Sequence, residues 1–226
     1  MHIEPGIVTG AKIALSYATG AAAGGYALRL AAENAREQGI VSFVVRTTAA
    51  TALVFSFFEL LPHFRVGVSE VHFILGSTLF LILGAAPTAA GLALGLLFQG
   101  LFFEPADLPQ FGMNVTTLLV PLFAIRSLAE RIIPRNTAYV DLRYRQALAL
   151  STAYQTGVVA WVGFWALYGA GFGVANLASI ASFAASYALV VAIEPLADLA
   201  VLSLAKSLRS VVTADGWVTR RLYDAA

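Results

Sequence analysis

Three histidines stand out among the residues able to do chemistry: His2, His63 and His72. Imidazole nitrogens bind divalent first-row metals. Cysteine is absent, so the chain has no thiolate ligand, disulfide or cysteine nucleophile. Methionine occurs only as Met1 and Met113, which argues against a thioether copper(I) site. His2 gains from its position. A free amine on Met1, the backbone nitrogen of His2 and its Nδ1 can chelate one ion through a five-membered and a six-membered ring, both unstrained. These three nitrogens lie near one plane, and another neutral nitrogen, such as an imidazole, would fill the fourth corner. Planar all-nitrogen coordination suits nickel(II) or copper(II), and cobalt(II) can use the same ligands, whereas zinc prefers a tetrahedron. The chelate requires Met1 to be deformylated and retained, and a bulky second residue such as histidine normally blocks its removal. Glu59 and His63 offer an alternative metal site. They are four residues apart at the outer end of an apolar stretch and so share a helix face, but they equally fit an amphipathic pair at the headgroups.

Other chemistry lacks its signatures. No Gly-x-x-x-x-Gly-Lys-Ser/Thr occurs, so ATP hydrolysis would have to come from another chain. Neither Gly-x-Ser-x-Gly nor His-Glu-x-x-His occurs, which leaves no common hydrolase motif. No basic run is interleaved with aromatics, so nucleic acid is not an expected partner.

The elements that must position these residues are membrane helices. The 226-residue chain is 59% hydrophobic and only 12% charged, with a mean hydropathy of +0.78. Soluble domains carry about 25% charged residues, so part of this chain's solvent must be a lipid bilayer. Seven apolar stretches approach the length of about 20 residues that a span needs, at roughly 7–32, 40–61, 70–84, 87–103, 112–133, 146–171 and 175–197. The pattern predicts an all-α integral membrane bundle of about seven transmembrane helices, forming one domain over residues 1–226. Gly84-Ala85-Ala86-Pro87 separates two short stretches and reads as a tight helical hairpin, with Pro87 in a first helical turn. Nothing positive precedes Lys12, so the first stretch reads as a retained helix and not a cleaved signal. Arg36, the cluster Arg126, Arg131, Arg135, Arg143 and Arg145, and the tail residues Lys206, Arg209, Arg220 and Arg221 would all fall on one side. Positive loops stay in the cytoplasm, so the N-terminus is expected outside and the C-terminus inside. Residues 197–226 would form a cytoplasmic amphipathic tail. Glu194 and Asp198 fall at the inner end of the last span, as a solvated helix end or a partner contact.

Met1-His2-Ile3, with an acid and a glycine close behind, resembles the N-terminus of the CbiM/NikM family, the substrate-binding membrane subunits of energy-coupling-factor transporters for cobalt and nickel. Gly67-Val68-Ser69-Glu70-Val71-His72, followed by Gly76, resembles that family's segment ending in a histidine and glycines. Gln99-Gly100-Leu101-Phe102-Phe103 and Gly112-Met113-Asn114-Val115 resemble two further motifs. The resemblance covers about residues 1–120. It implies that Met1, His2 and His72 hold nickel(II) or cobalt(II) as transported substrate, within an N-terminal metal-binding segment 1–6. Ser69, Asn114 and Gln99 would surround these ligands. It further implies a membrane scaffold subunit, touched by Ala18 and Ala22 on the first span, two ATPase subunits, and in some systems a small accessory membrane subunit. The setting would be a prokaryotic cell (inner) membrane, and cobalt uptake would serve cobalamin biosynthesis. The chain departs from the family where Glu4-Pro5 puts the acid one place early, where Ser69-Glu70 replaces Thr-Ser, and where Thr116-Thr117 replaces Asn-Met. All three departures fall beside the expected ligands and not on them.

Three other readings compete with an importer subunit. A stand-alone secondary carrier would be driven by carboxyl protonation, and an intramembrane enzyme would use Glu59, His63 and His72. A relative with altered metal preference would serve as a membrane scaffold. Carriers and intramembrane enzymes place ionisable groups near the midplane, whereas here these groups cluster at predicted span ends.

Overall fold

The computed structural model describes residues 2–208 and 217–225. Its helices are α1 (Ile13–Gln38), α2 (Ile40–Phe55), α3 (Gly76–Leu83), α4 (Ala85–Phe102), α5 (Phe111–Ile132), α6 (Tyr144–Ala170) and α7 (Val174–Ser207). A short antiparallel hairpin, β1 (Phe64–Val66) and β2 (Ser69–Val71), lies between α2 and α3, with Arg65 opposite Glu70. Among the described residues, four segments are long and apolar enough to cross a membrane: Ile40–Leu60, Ala85–Phe102, Pro105–Ile132 and Val174–Ser207. The bundle is therefore an all-α membrane architecture.

Its faces are sorted as lipid requires. Leu28, Val41, Leu94, Phe102, Leu189 and Leu196 are exposed, while Arg46, Gln99, Asn114, Thr116, Gln155, Glu194 and Asp198 are buried. In hydrocarbon no water satisfies a polar group, so such groups turn inward to partners. Arg46 illustrates this, donating from Nη1 to Leu83 O at 2.7 Å and from Nη2 to Asn34 Oδ1 at 2.9 Å.

Two glycine effects set the helix arrangement. Gly84, at φ 90°, turns the chain between α3 and α4, and Pro87 lies in the first turn of α4, as its spacing from Gly84 predicts. Gly91 and Gly95 let α4 approach α2. A Cβ at Gly91 would lie 2.3 Å from the Ala50 Cβ, and one at Gly95 2.7 Å from a Val54 methyl.

The stretch 70–84 is divided differently from the single span its hydropathy suggests. It contains most of β2, an extended segment and the eight-residue α3. A helix of that length rises about 12 Å, against about 30 Å of hydrocarbon. α7 runs unbroken past Pro195 to Ser207, taking in the first residues of the expected tail. Further on, Thr219 N–H donates to Ile82 O at 2.8 Å, bringing the tail back under the α3–α4 turn. Arg209 lies outside the described residues.

The bundle has two chemically distinct ends. At one, Lys206 pairs with Asp141, Gln146 donates to Ile132 O, and Arg221 stacks over Tyr139. At the other, the N-terminal segment and the hairpin meet the start of α7. There Gly67, at φ 62°, sits so close to Ser179 that a Cβ would fall 2.1 Å from its carbonyl oxygen.

Candidate metal centre

Backbone pairing first places His2. Residues 2–4 run antiparallel to β2 as a third strand. Glu70 N–H donates to His2 O at 3.2 Å, Glu4 N–H donates to Val68 O at 3.2 Å, and Ile3 bridges Ser69. Two side chains reinforce this register. Ser69 Oγ donates to His2 O at 2.8 Å, and Asn114 Oδ1 accepts the Ile3 N–H at 2.9 Å. Asn114 is held there because α5 starts hard against α1, where a Cβ on Gly112 would lie 2.5 Å from Ser16 O. Ile3 is fully buried and His2 nearly so.

His72 arrives on the segment leaving β2. Its Nδ1 lies 3.1 Å from Phe73 O. A carbonyl only accepts, so Nδ1 carries the proton and Nε2 keeps its lone pair. That Nε2 is buried without a hydrogen-bond partner among the described residues. Few buried polar atoms in folded chains are left so. The ring centroids of His72 and His2 are 6.1 Å apart, and Phe58 packs 4.5 Å from His72.

Glu70 completes the group. Its Oε2 lies 2.6 Å from His2 Nδ1, and its Oε1 takes a 3.3 Å contact from Arg65 Nε. Metal-ligating atoms of His2, Glu70 and His72 all lie within 4.8 Å of one another. Asp107, on the turn Pro105–Gln110, approaches His2 Nδ1 to 3.7 Å. A void of about 10 Å³ lies beside His2, Asp107, Gly100 and Asn114, roughly the room of one water molecule. Burial holds the His2 imidazole down at about 4, outweighing the Glu70 hydrogen bond that would raise it. Burial, the largest single influence, pushes Glu70 up, but the hydrogen bond from His2, nearby positive charge and the Arg65 contact together outweigh it and hold its carboxyl at about 2. The resting arrangement is a neutral imidazole donating Nδ1–H to a carboxylate.

The loop beyond His72 is anchored from α7. Glu194 Oε1 accepts the N–H groups of Ile74 at 2.7 Å and Leu75 at 3.0 Å. Gln155 donates to Glu194 Oε2, and Tyr187 in turn donates to Gln155 Oε1 at 2.6 Å. Asp198 accepts the hydroxyls of Ser77 at 2.6 Å and of Thr78. Leu75 has a φ of 53°, a left-handed conformation that a leucine holds only when its surroundings impose it.

Of the residues expected at the site, His2, His72, Ser69 and Asn114 converge, and Met1 lies outside the described residues. Gln99 is buried and donates to Glu59 at 3.2 Å. Glu59 and His63 do not share a helix face. The helix widens into a π-turn over Ser56–Leu60 and ends before Pro62, leaving His63 near the surface with Nδ1 3.2 Å from Leu61 O. Ala18 and Ala22 are exposed on α1. Glu194 and Asp198 are fully buried, and not the solvated end or partner contact expected of them. Glu70, Asp107, Glu194 and Asp198 were missed as site residues. Glu70 had a signal, a carboxylate two residues before the second histidine.

A family model described as the cobalt uptake substrate-specific transmembrane region matches residues 2–212. The chain belongs to the CbiM family. No curated protein sequence matches it. A solved structure described as a truncated transition metal transporter is similar in fold, with a TM-score of 0.65 at 17% identity, over 93% of this chain and 98% of that one. As a CbiM family member, this chain is a membrane component of metal uptake and not an enzyme.

Proposed function

We propose that this chain is the substrate-specific subunit of an energy-coupling-factor importer for nickel(II) or cobalt(II). The ion would be held by a free amine on Met1, the backbone nitrogen and Nδ1 of His2, and Nε2 of His72. One observation carries this reading. His72 Nε2 is buried and unpartnered, while Nδ1 of the same ring is tied to a carbonyl. This is how a metal-ligating histidine is oriented by its other nitrogen.

We infer seven membrane crossings with the N-terminus outside, the third made by the extended segment after β2 together with α3, since α3 alone is too short. The two histidines lie at the end of the bundle opposite Lys206 and Arg221, and positive loops stay in the cytoplasm. Metal would then be captured from outside. Ala18 and Ala22 leave a small-residue strip on α1 exposed, which suits close approach by a helix of the scaffold subunit. Two ATPase subunits would supply the energy, since this chain has no phosphate loop.

The test is metal titration of the purified chain with its native N-terminus. His2→Ala and His72→Ala should lose most affinity, and His63→Ala almost none. One residue inserted between Met1 and His2 enlarges the chelate while keeping every side chain, and should also lose affinity. Full binding by the insertion variant, with loss in His63→Ala, would refute the terminal chelate.

A further inference from the structure

We propose that Glu70 is itself a ligand of the transported ion. It turns an all-nitrogen, planar site into a mixed nitrogen–oxygen one that selects cobalt(II) over nickel(II). This rests on the site proposed above and deepens it by naming the substrate.

Glu70 Oε2 lies 2.6 Å from His2 Nδ1, where it accepts the proton that any ion bound by that nitrogen must displace. An ion taking that proton's place comes to lie against Glu70. The carboxylate can then either withdraw or bind. Withdrawal is blocked on two sides. Glu70 is 7% exposed, so moving it would strand a carboxylate in low dielectric. Its other oxygen is held by Arg65, directly across the hairpin. Binding requires little motion. Ligands of one ion with bonds of about 2.0–2.2 Å stand at most about 4.3 Å apart, and the three groups here already lie within 4.8 Å. The buried, unpartnered His72 Nε2 faces the same space.

Charge points the same way. The amine and imidazole nitrogens are neutral and the backbone nitrogen binds only as an amidate, having lost its proton, so this set leaves one positive charge in a buried site; Glu70 offsets that unit, and Asp107 stands 3.7 Å from the same nitrogen. A carboxylate added to a planar nitrogen set raises the coordination number. Nickel(II) thereby loses its planar preference, whereas cobalt(II) is well served by mixed imidazole and carboxylate ligands.

The experiment uses the purified full chain and the metals alone. Cobalt(II) and nickel(II) affinities are measured by competition with a chromogenic chelator for the wild type, Glu70→Gln, Arg65→Gln and His72→Ala. Glu70→Gln, which keeps size and hydrogen bonding, should weaken cobalt(II) at least about twentyfold and nickel(II) by less than about threefold. The visible bands of bound cobalt(II) should shift. Arg65→Gln, which releases the other oxygen of Glu70, should reduce the cobalt-to-nickel preference by less than Glu70→Gln does. Equal weakening of both metals with unchanged cobalt bands would make Glu70 a positioning residue and overturn the proposal. A wild-type readout needs no variant. Planar four-nitrogen nickel(II) is diamagnetic, whereas a fifth, carboxylate ligand makes it paramagnetic. Diamagnetic nickel(II) in the wild type would overturn the proposal even if Glu70→Gln does not fold. Unimpaired binding by His72→Ala would refute the underlying site, a separate result.

Discussion

Glu194→Ala is the most informative single substitution outside the metal centre. The Glu194 side chain is fully buried and receives the N–H groups of Ile74 and Leu75, together with the Gln155 amide. Alanine removes the acceptor and leaves two backbone donors without a partner. Each buried donor left unsatisfied costs about 1–3 kcal/mol, so the loss should be about 3 kcal/mol or more. Glu194→Gln retains one oxygen and should lose roughly half as much. A second consequence separates this anchoring role from plain packing. Ile74 and Leu75 follow His72 by two and three residues, and the left-handed Leu75 is held by the same contact. Freed, this loop should let Nε2 wander, and groups that orient metal ligands typically contribute about 10–100-fold to affinity. The assay pairs equilibrium unfolding in detergent with cobalt(II) titration of both variants. If Glu194→Ala stays within about 1 kcal/mol of wild type and binds cobalt(II) within about threefold, the anchoring argument fails.

Three further outcomes are expected. His2 takes up a proton near pH 6.5 when detached but only near 4 in place. The docked segment therefore binds fewer protons in that window and weakens as pH falls from 6.5 to 4, by up to about 3 kcal/mol. Hydrogen exchange at the Glu70 amide, corrected for intrinsic rate, reports this, and constant protection across the window would contradict it. Asn114→Ala should orphan the Ile3 N–H at a cost of about 1–3 kcal/mol and lower cobalt(II) affinity; wild-type affinity would show that the N-terminal strand does not need this anchor. Cysteines placed at Ala106 and Asn136, both exposed in a chain without native cysteine, should differ in labelling by an impermeant thiol reagent on intact cells. Labelling only Asn136 would invert the proposed orientation.

Much of this protein is written in local sequence. Composition alone required lipid as solvent, because too few charged residues exist to cover a water-facing surface. The Gly84–Pro87 turn was legible because φ preferences are properties of single residues. His2 and His72 could be named since their meaning lies in position along the chain. Hydropathy read 70–84 as one helix, since an extended segment followed by a short helix is as apolar as a single helical span. It also misplaced His63, because a helix-face argument assumes that the helix continues, and Pro62 ends it.

The tertiary structure decided the rest. Glu194 and Asp198 read as a helix end because their chain neighbours cannot reveal whether a side chain faces water or a loop 120 residues away. They are buried because Ile74, Leu75, Ser77 and Thr78 need acceptors where water is excluded. Glu70 shows the same limit most sharply. Its neighbours along the chain are Ser69 and Val71, but its chemistry is set by His2, 68 residues earlier, through the register of a three-strand pairing. Sequence determined which ligands the chain possesses. Only folding, by bringing distant backbone segments into one hydrogen-bonded register, decided which of them share an ion.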